Sequence, residues 1–534
     1  MEATDARPRK VRWLPGLILL VLAPMCVVAA WMIAGRIADG DRTVQMTAAI
    51  VTLAIAVLIQ AVWWLGLARL SWRGRLIGLA GLAVFVAGIA AVVRIDGYRG
   101  EMMPILAFRW EPTPEERALA FFKSNASRQD ATPPEGFVGV TVGDGDWPQY
   151  RGANRDGLAP DAVIRTNWND APPKLVWGPQ PVGPAWSSFA VVGDRAYTQE
   201  QRGEEETVVC YDANEGVQRW VHADTARFSE TLGGDGPRGT PTIDGGRVYA
   251  LGATGLLNCL DAASGAKIWQ RDILKDAGDG ERVANIDWGM AGSPPVWEGK
   301  VFAAPGGKKG REVIAYDVAT GEIVWAVGDG AASYASPRVE TIGGVPHLLV
   351  FDAEGLKSFD PSSGRLLWSF GPWTNQPKVN AAQPIVQGNH VFISSGYTIG
   401  SVLLKVTNRG SEWKVEEVWR NDNEFKLKFN DAVLHKGFLY GLDEGILACY
   451  EFETGERQWK SGRYGYGQIV LLGETLVILA EDGSLAAVSA SPTQYEEVAR
   501  VPVLEGKTWN HPAFARGKLF VRNDREAACL DLSP

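Results

Sequence analysis

The sequence predicts an all-β, eight-bladed propeller behind three transmembrane helices, and three observations carry that prediction. The first is an eleven-residue frame running from Cys210 through Asp212 and Gly216 to Trp220, which reads as a strand, a tight turn and a second strand ending in Trp. Asp212 suits the turn because its carboxylate can bond nearby amides, and Gly216 suits a positive φ. The frame returns at 259–269, 315–325, 358–368 and 449–459. The second observation is a recurring turn and alternating strand near Tyr197, Tyr249, Phe302, Leu349, Phe392, Tyr440, Val477 and Phe520, about 46 residues apart. That spacing fits four short strands per unit. The third is a polar residue that opens each unit, often before Pro: Ser188, Thr240, Ser293, Ser336, Gln383, Asp431, Gln468 and His511. Proline is tolerated there because the first residue of a strand owes no ladder donor. The second and third signals both count eight.

The Trp frame degenerates where the others persist. Residues 402–419 lengthen the turn, 485–498 lose both Gly and Trp, and the copy at Cys529 stops at Pro534 before an outer strand can form. An orphan strand at 173–177, ending in Trp177, can replace the missing one and close the ring. Trp177, Trp220, Trp269, Trp325, Trp368, Trp419 and Trp459 are then expected as apolar plates between blades.

Ahead of the repeats lie three apolar segments, 13–34, 48–68 and 76–93, each long enough to cross a bilayer. Arg7, Arg9, Lys10 and Arg12 precede the first, and Arg69, Arg73 and Arg75 lie between the second and third. The positive-inside rule therefore places the N-terminus in the cytoplasm and everything after the third span outside, at a bacterial inner membrane with the propeller in the periplasm. Ionisable residues are missing from the apolar cores of these spans, as expected of an anchor rather than a transport path. The expected organisation is an anchor (1–93), a linker with a short helix (94–146) and the propeller (147–534). Within the linker, Thr113-Pro114-Glu115-Glu116 carries helix-start chemistry, and 127–145 is rich in Pro, Gly and Asp.

Composition narrows the partners. The net charge is −9, with +5 in residues 1–93 and −14 in the rest. An acidic body excludes nucleic acid as an expected partner. The five cysteines include no C-x-x-C, and Cys210, Cys259, Cys449 and Cys529 share one repeat position, as small core residues would. No metal is expected from the five scattered histidines.

The repeated A-x-D-x-x-T-G-x-x-x-W frame resembles the tryptophan-docking motif of quinoprotein propellers. The opening Asp146-Trp147-Pro148-Gln149-Tyr150-Arg151-Gly152-Ala153-Asn154-Arg155-Asp156-Gly157 and the closing Arg522-Asn523 resemble PQQ-binding-like β-propeller repeat proteins. The resemblance implies the eight-bladed fold over about 147–534. It points both to redox enzymes that hold PQQ and Ca²⁺ beneath a vicinal disulfide and to a cofactor-free scaffold lipoprotein of the outer-membrane assembly machinery. Adjacent cysteines are absent here, so no catalytic residue is assigned and no cofactor is expected, with PQQ and calcium as the alternative. Candidate binding groups for a ligand or protein partner are those near the starts of the innermost strands, which converge on one end of a channel. They are Trp186, Arg238, Trp288, Arg338, Asn380 and Gln383 in the first five units, and Asn430, Asp431, Tyr466, Asn510 and His511 in the last three. The expected function is a membrane-anchored, extracytoplasmic binding or scaffold module; the alternative is a PQQ- and calcium-dependent oxidoreductase acting on alcohols or sugars.

Overall fold

The computed structural model describes residues 13–68, 70–125, 139–307, 310–410 and 412–534. The chain divides into two compact units, Met1–Pro112 and Thr113–Pro534. The basic N-terminal cluster, Arg69, part of the expected linker (126–138) and Lys308-Lys309 lie outside the described residues.

The first unit holds α1 (Trp13–Ile37), α2 (Arg42–Val62), which runs into a π-helical turn (Trp63–Leu67), and α3 (Trp72–Val92). All three are long and apolar enough to cross a membrane. Asp41 caps α2 by accepting from the Thr43 and Val44 amides, and Ser71 caps α3 through Gly74. The sequence leads one to expect a linker with a single short helix over residues 94–146. The structure instead forms an antiparallel hairpin there, β1 (Val93–Tyr98) with β2 (Pro104–Phe108). The Gly97 bulge, and the Arg94–Asp96 pair set among the apolar residues, obscure the strand signal.

The second unit opens with α4 (Pro114–Ser124), where Thr113 and Glu116 form the expected capping box. The helix docks on the propeller. Glu115 accepts from the Gly203 amide at 2.7 Å and from Arg227 at 2.9 Å, and the Arg202 guanidinium lies 3.6 Å over the Phe122 ring.

Eight four-stranded antiparallel sheets follow: blades 1 to 7 at 190–225, 242–272, 296–327, 338–370, 385–422, 433–463 and 468–502, and blade 8 at 513–531. Strand β3 (Leu158–Ala159) adds a short parallel edge to blade 7. The outer strand of blade 8 is β4 (Lys174–Pro181), with Cys529 opposite Trp177 and Asp531 opposite Lys174. The closure expected of residues 173–177 is therefore present and extends four residues further. Buried Arg522 reinforces it, donating from blade 8 to Thr198 Oγ1, the Gln199 carbonyl and the Gly183 carbonyl.

Adjacent blades meet through the Trp frame. In the turn of blade 3, Asp317 accepts from the Ala319 and Thr320 amides, and Gly321 sits at φ +73°. Trp269 of blade 2 lies flat against that glycine and donates to the Val318 carbonyl at 3.0 Å; a Cβ on Gly321 would come within 2.7 Å of the indole. Trp177 on Gly216, Trp220 on Gly265, Trp325 on Gly364 and Trp419 on Gly455 repeat the contact. Blade 5 has a long hairpin instead of the short turn, and Trp368 donates to the buried His347, against which Trp413 packs edge-on at 4.5 Å.

Replacing Trp269 with Ala should cost about 3–5 kcal/mol through lost burial and the cavity left behind. Gly321→Ala should also destabilise, by about 1–3 kcal/mol, because it adds both a strained φ and a clash. Denaturant unfolding of the purified protein reads both, and an unchanged midpoint for either would show that these joints do not limit stability.

Candidate functional site

The channel is not empty along its length. The loop 146–159 inserts into it from the end where first and second strands turn. Asp146 anchors the base, bonding the Gly193 amide and Arg516. Trp147 then exchanges both backbone hydrogen bonds with Val191 at 2.8 Å, and the Pro148 carbonyl accepts from Ile243. Arg155 donates to the Ser293 carbonyl, Arg338 donates to the Arg155 and Pro384 carbonyls, and Arg151 reaches Asp431 and the Ala432 carbonyl. The Leu471 amide donates to Gly157 on the way out. This segment was read as a family signature; its physical role is to fill the channel and tie blades together.

That plug divides the candidate residues. Arg338, Asp431 and His511 are its partners, buried in mid-channel. Tyr150 donates to Asp431 at 2.7 Å, and its ring meets His511 edge-on at 5.5 Å. Burial alone would raise the Asp431 pKa, but Arg151, the Gln383 amide and Tyr150 outweigh it and hold the carboxylate below its usual range. Arg155 has no carboxylate of its own, and burial, with Arg338 beside it, lowers it to about 9. Asn380, Asn430 and Asn510 are buried loop ties, donating to the Asp352, Leu442 and Ser187 carbonyls respectively. Gln383 joins a belt that runs around the channel, in which each backbone amide donates to the polar side chain of the next blade. The amides of Ser188, Thr240 and Ser293 donate in turn to Thr240, Ser293 and Ser336, and the Gln383 amide donates to Asp431. These seven residues hold the ring together.

Of the remaining candidates, Trp186, Arg238 and Trp288 reach the mouth and Tyr466 is buried just beneath it, and they have company that sequence reading missed. Trp186 and Trp509 lie 4.9 Å apart, Trp509 and Phe429 4.8 Å, and Phe429 and Tyr466 5.2 Å, giving an arc of four rings across blades 8, 1, 6 and 7. Tyr334 stands 5.3 Å from Trp288 on the far side. Lys507 is only 2% exposed, with its ammonium 4.7 Å from the Trp186 ring and 4.2 Å from Trp509. Among the described residues nothing accepts a hydrogen bond from it. Burial lowers its pKa, while Asp524 and Glu481 pull upward only from longer range. Lys428 sits 4.6 Å over Tyr466. Arg238 stacks on Phe228 and donates to the Trp288 carbonyl at 2.7 Å; loss of solvent lowers it to about 10 against the pull of Glu206 and Glu230. The mouth is thus aromatic and cationic.

A signal for the missed residues was present. Counting back two positions from the polar residue that opens each unit lands on Trp186, Arg238, Ala291, Tyr334, Ala381, Phe429, Tyr466 and Trp509. Six of these eight are large and line the mouth, so the offset, not the residue type, marks the site.

The carboxylates nearby already have protein donors. Glu481 accepts from Trp509 Nε1 at 2.9 Å and from the Tyr466 amide, Glu444 from the Tyr466 hydroxyl at 2.7 Å, and Glu206 from the Ala253 amide and Thr254 hydroxyl. No group of three or more His, Cys, Asp or Glu among the described residues is arranged to hold a metal ion. Cys210, Cys259, Cys449 and Cys529 are separate buried thiols; burial pushes Cys210 up to about 12 and Cys259 to about 11. The residues therefore fit a planar anion better than they fit a calcium ion.

His511 makes the plug sensitive to acid. Burial, followed by Arg151, lowers it from 6.5 to about 4, against the opposing pull of Asp431. The folded state thus binds fewer protons than the unfolded chain between these values. Stability from this group is complete above pH 6.5 and is lost as pH falls toward 4, by about 3 kcal/mol. Unfolding midpoints measured from pH 7.5 to 4 should fall for the wild type and fall less for His511→Gln; parallel curves would show that His511 does not drive the loss.

Comparison with known proteins agrees with this geometry. The family profile described as outer membrane protein assembly factor BamB (PQQ_2) matches residues 168–284 and 204–461, together more than half of the chain. The dehydrogenase subunit of alcohol dehydrogenase (quinone) from Gluconacetobacter polyoxogenes is 28% identical over 191 residues, 33% of this chain and 24% of that protein. Polyvinylalcohol dehydrogenase from Sphingopyxis sp. is 24% identical over 287 residues, 42% of each. The chain therefore spans between a quarter and just under half of the length of these relatives. Quinohemoprotein alcohol dehydrogenase ADHIIG from Pseudomonas putida HK5 superposes with a TM-score of 0.53 at 14% identity, covering 74% of this chain and 83% of that one. The enzyme from Comamonas testosteroni gives 0.52 at 14%, covering 78% and 83%, a likeness of fold. With the frame, the ring closure and the profile in agreement, the chain belongs to the PQQ_2 family of propellers, described as outer membrane protein assembly factor BamB.

Proposed function

We propose that this protein is a membrane-anchored, extracytoplasmic binding module whose channel mouth receives an acidic group of a partner polypeptide. The observation that carries the reading is Lys507, a buried side chain whose ammonium is clasped by two indole faces with no hydrogen-bond acceptor among the described residues. A cation left unpaired in such a place is stabilised by an arriving carboxylate, and charge-assisted hydrogen bonds of this kind contribute roughly 1.5–3 kcal/mol. Arg238 and Lys428 flank it, and the rings offer broad, rigid contact area. The plug closes the channel below, so an occupant enters from the mouth alone. The family description as an assembly factor supports a scaffold role. The three apolar helices support anchoring at a bacterial inner membrane, with the N-terminus cytoplasmic and the propeller in the periplasm.

A second reading, an oxidoreductase using PQQ, is favoured by relatives named as quinone alcohol dehydrogenases. Trp186 and Trp509 would stack a planar quinone, and Lys507 and Arg238 would hold its carboxylates. The calcium half of such a centre lacks unclaimed oxygen ligands here, and no redox step is assigned.

A photo-crosslinking side chain at Tyr334 should capture a protein in native membranes, and Lys507→Met should reduce capture about 10-fold or more. Capture should weaken as pH rises through the lowered Lys507 pKa, below its ordinary 10.5. Tight PQQ binding that requires Ca²⁺ and supports dye-linked alcohol oxidation would instead establish the second reading. A periplasmic reporter fused after Asn125 should be active; an inactive fusion would overturn the assigned topology.

A further inference from the structure

The hairpin after α3 is amphipathic in the wrong sense for a soluble protein. Val93 pairs with Phe108 and Ile95 with Leu106, so these four side chains share one face, and Trp110 extends it by stacking on Phe108 at 4.6 Å. That face is bare: Ile95 is 54% exposed, Leu106 63%, Phe108 45% and Trp110 68%. The charged groups beside it have partners. Arg94 pairs with Asp96 and donates to the Glu111 carbonyl, and Arg109 donates to the Ala90 carbonyl near the end of α3. An exposed apolar surface rimmed by satisfied charges marks an interaction site.

We infer that this hairpin is seated in the membrane interface, its Ile95-Leu106-Phe108-Trp110 face in contact with lipid. The inference rests on the reading that the three helices span the bilayer. Three features select lipid as the occupant. Strand β1 begins at Val93 with no residue between it and α3, so the hairpin emerges where the third span ends. Arg42 at the start of α2 bonds Glu101 in the hairpin turn, which holds the turn over the α1–α2 connection at the same end of the helices. Stacked Phe and Trp rings beside aliphatic residues match the composition of the boundary between headgroups and acyl chains. Arg94, Arg99 and Arg109 are balanced by Asp96, Glu101 and Glu111, so insertion is driven by apolar contact and not by anionic lipid.

The full chain, with Cys26→Ser to remove the exposed thiol, is reconstituted in phosphatidylcholine vesicles carrying an environment-sensitive fluorophore on Leu106→Cys. The other four cysteines are buried. The label should be quenched by lipids spin-labelled near the headgroup and should lose quenching by aqueous iodide relative to a label on Glu456→Cys, an exposed propeller turn. Trp110→Cys gives an independent second position. Iodide quenching equal to that of Glu456→Cys overturns the inference, and so does protection from both iodide and lipid quenchers, which would mean that protein covers the face. A label on Val84→Cys in α3 separates the two readings: deep-lipid quenching there without lipid quenching at Leu106 rejects the hairpin alone, whereas its absence rejects the spans.

Discussion

Contact between neighbouring blades is the constraint on which the rest of this structure depends. A four-stranded sheet of this size cannot bury both its faces alone, and each blade here is completed by the next. Near the outer strands an indole lies on a glycine, and near the channel a backbone amide reaches the adjoining polar side chain. The two contacts act at opposite radii, so together they set both the spacing and the tilt of the blades. The plug adds a third tie on the axis, where Arg151 and Arg155 reach blades 6 and 3, and Arg338 of blade 4 bonds both the plug and blade 5.

Seen this way, the mouth is a by-product of the belt. Once a polar residue is committed to the neighbouring blade at the start of each innermost strand, the residue two places earlier is carried to the rim. Evolution is then free to choose its chemistry, and here the choices are mostly aromatic, with Arg238 as the cation. Lys428 and Lys507 arrive from one and two positions further upstream and sit against aromatic rings. The cationic and aromatic groups at the mouth thereby cost the ring nothing in closure.

The blade count, the docking tryptophans and the closing strand were legible in the sequence because each rests on a local rule repeated many times. Gly321 must be glycine whatever surrounds it, and Trp177 ends an apolar strand that has no partner nearby. The candidate site was legible only in part. Arg338, Asp431 and His511 have the look of site residues, yet their burial depends on a segment almost 200 or more residues away in sequence, and no local pattern reveals that Tyr150 and Arg155 fill the space beside them. Trp509 and Phe429 were overlooked for the opposite reason, since an aromatic in a protein with 21 Trp and 18 Phe draws no notice by type alone. The hairpin after α3 escaped because its apolar face is exposed, contrary to the usual rule for reading strands.

The strand that closes the ring has a temporal consequence. Lys174 pairs with Asp531, so blade 8 stays incomplete until nearly the whole domain has been synthesised. Joining ends so far apart costs roughly 5 kcal/mol of loop entropy, offset only when the last blade docks. Topology of this kind folds slowly. Until that moment β4 and the open edge of blade 8 are both unpaired. The edges most open to misplaced pairing are thus the last to be covered.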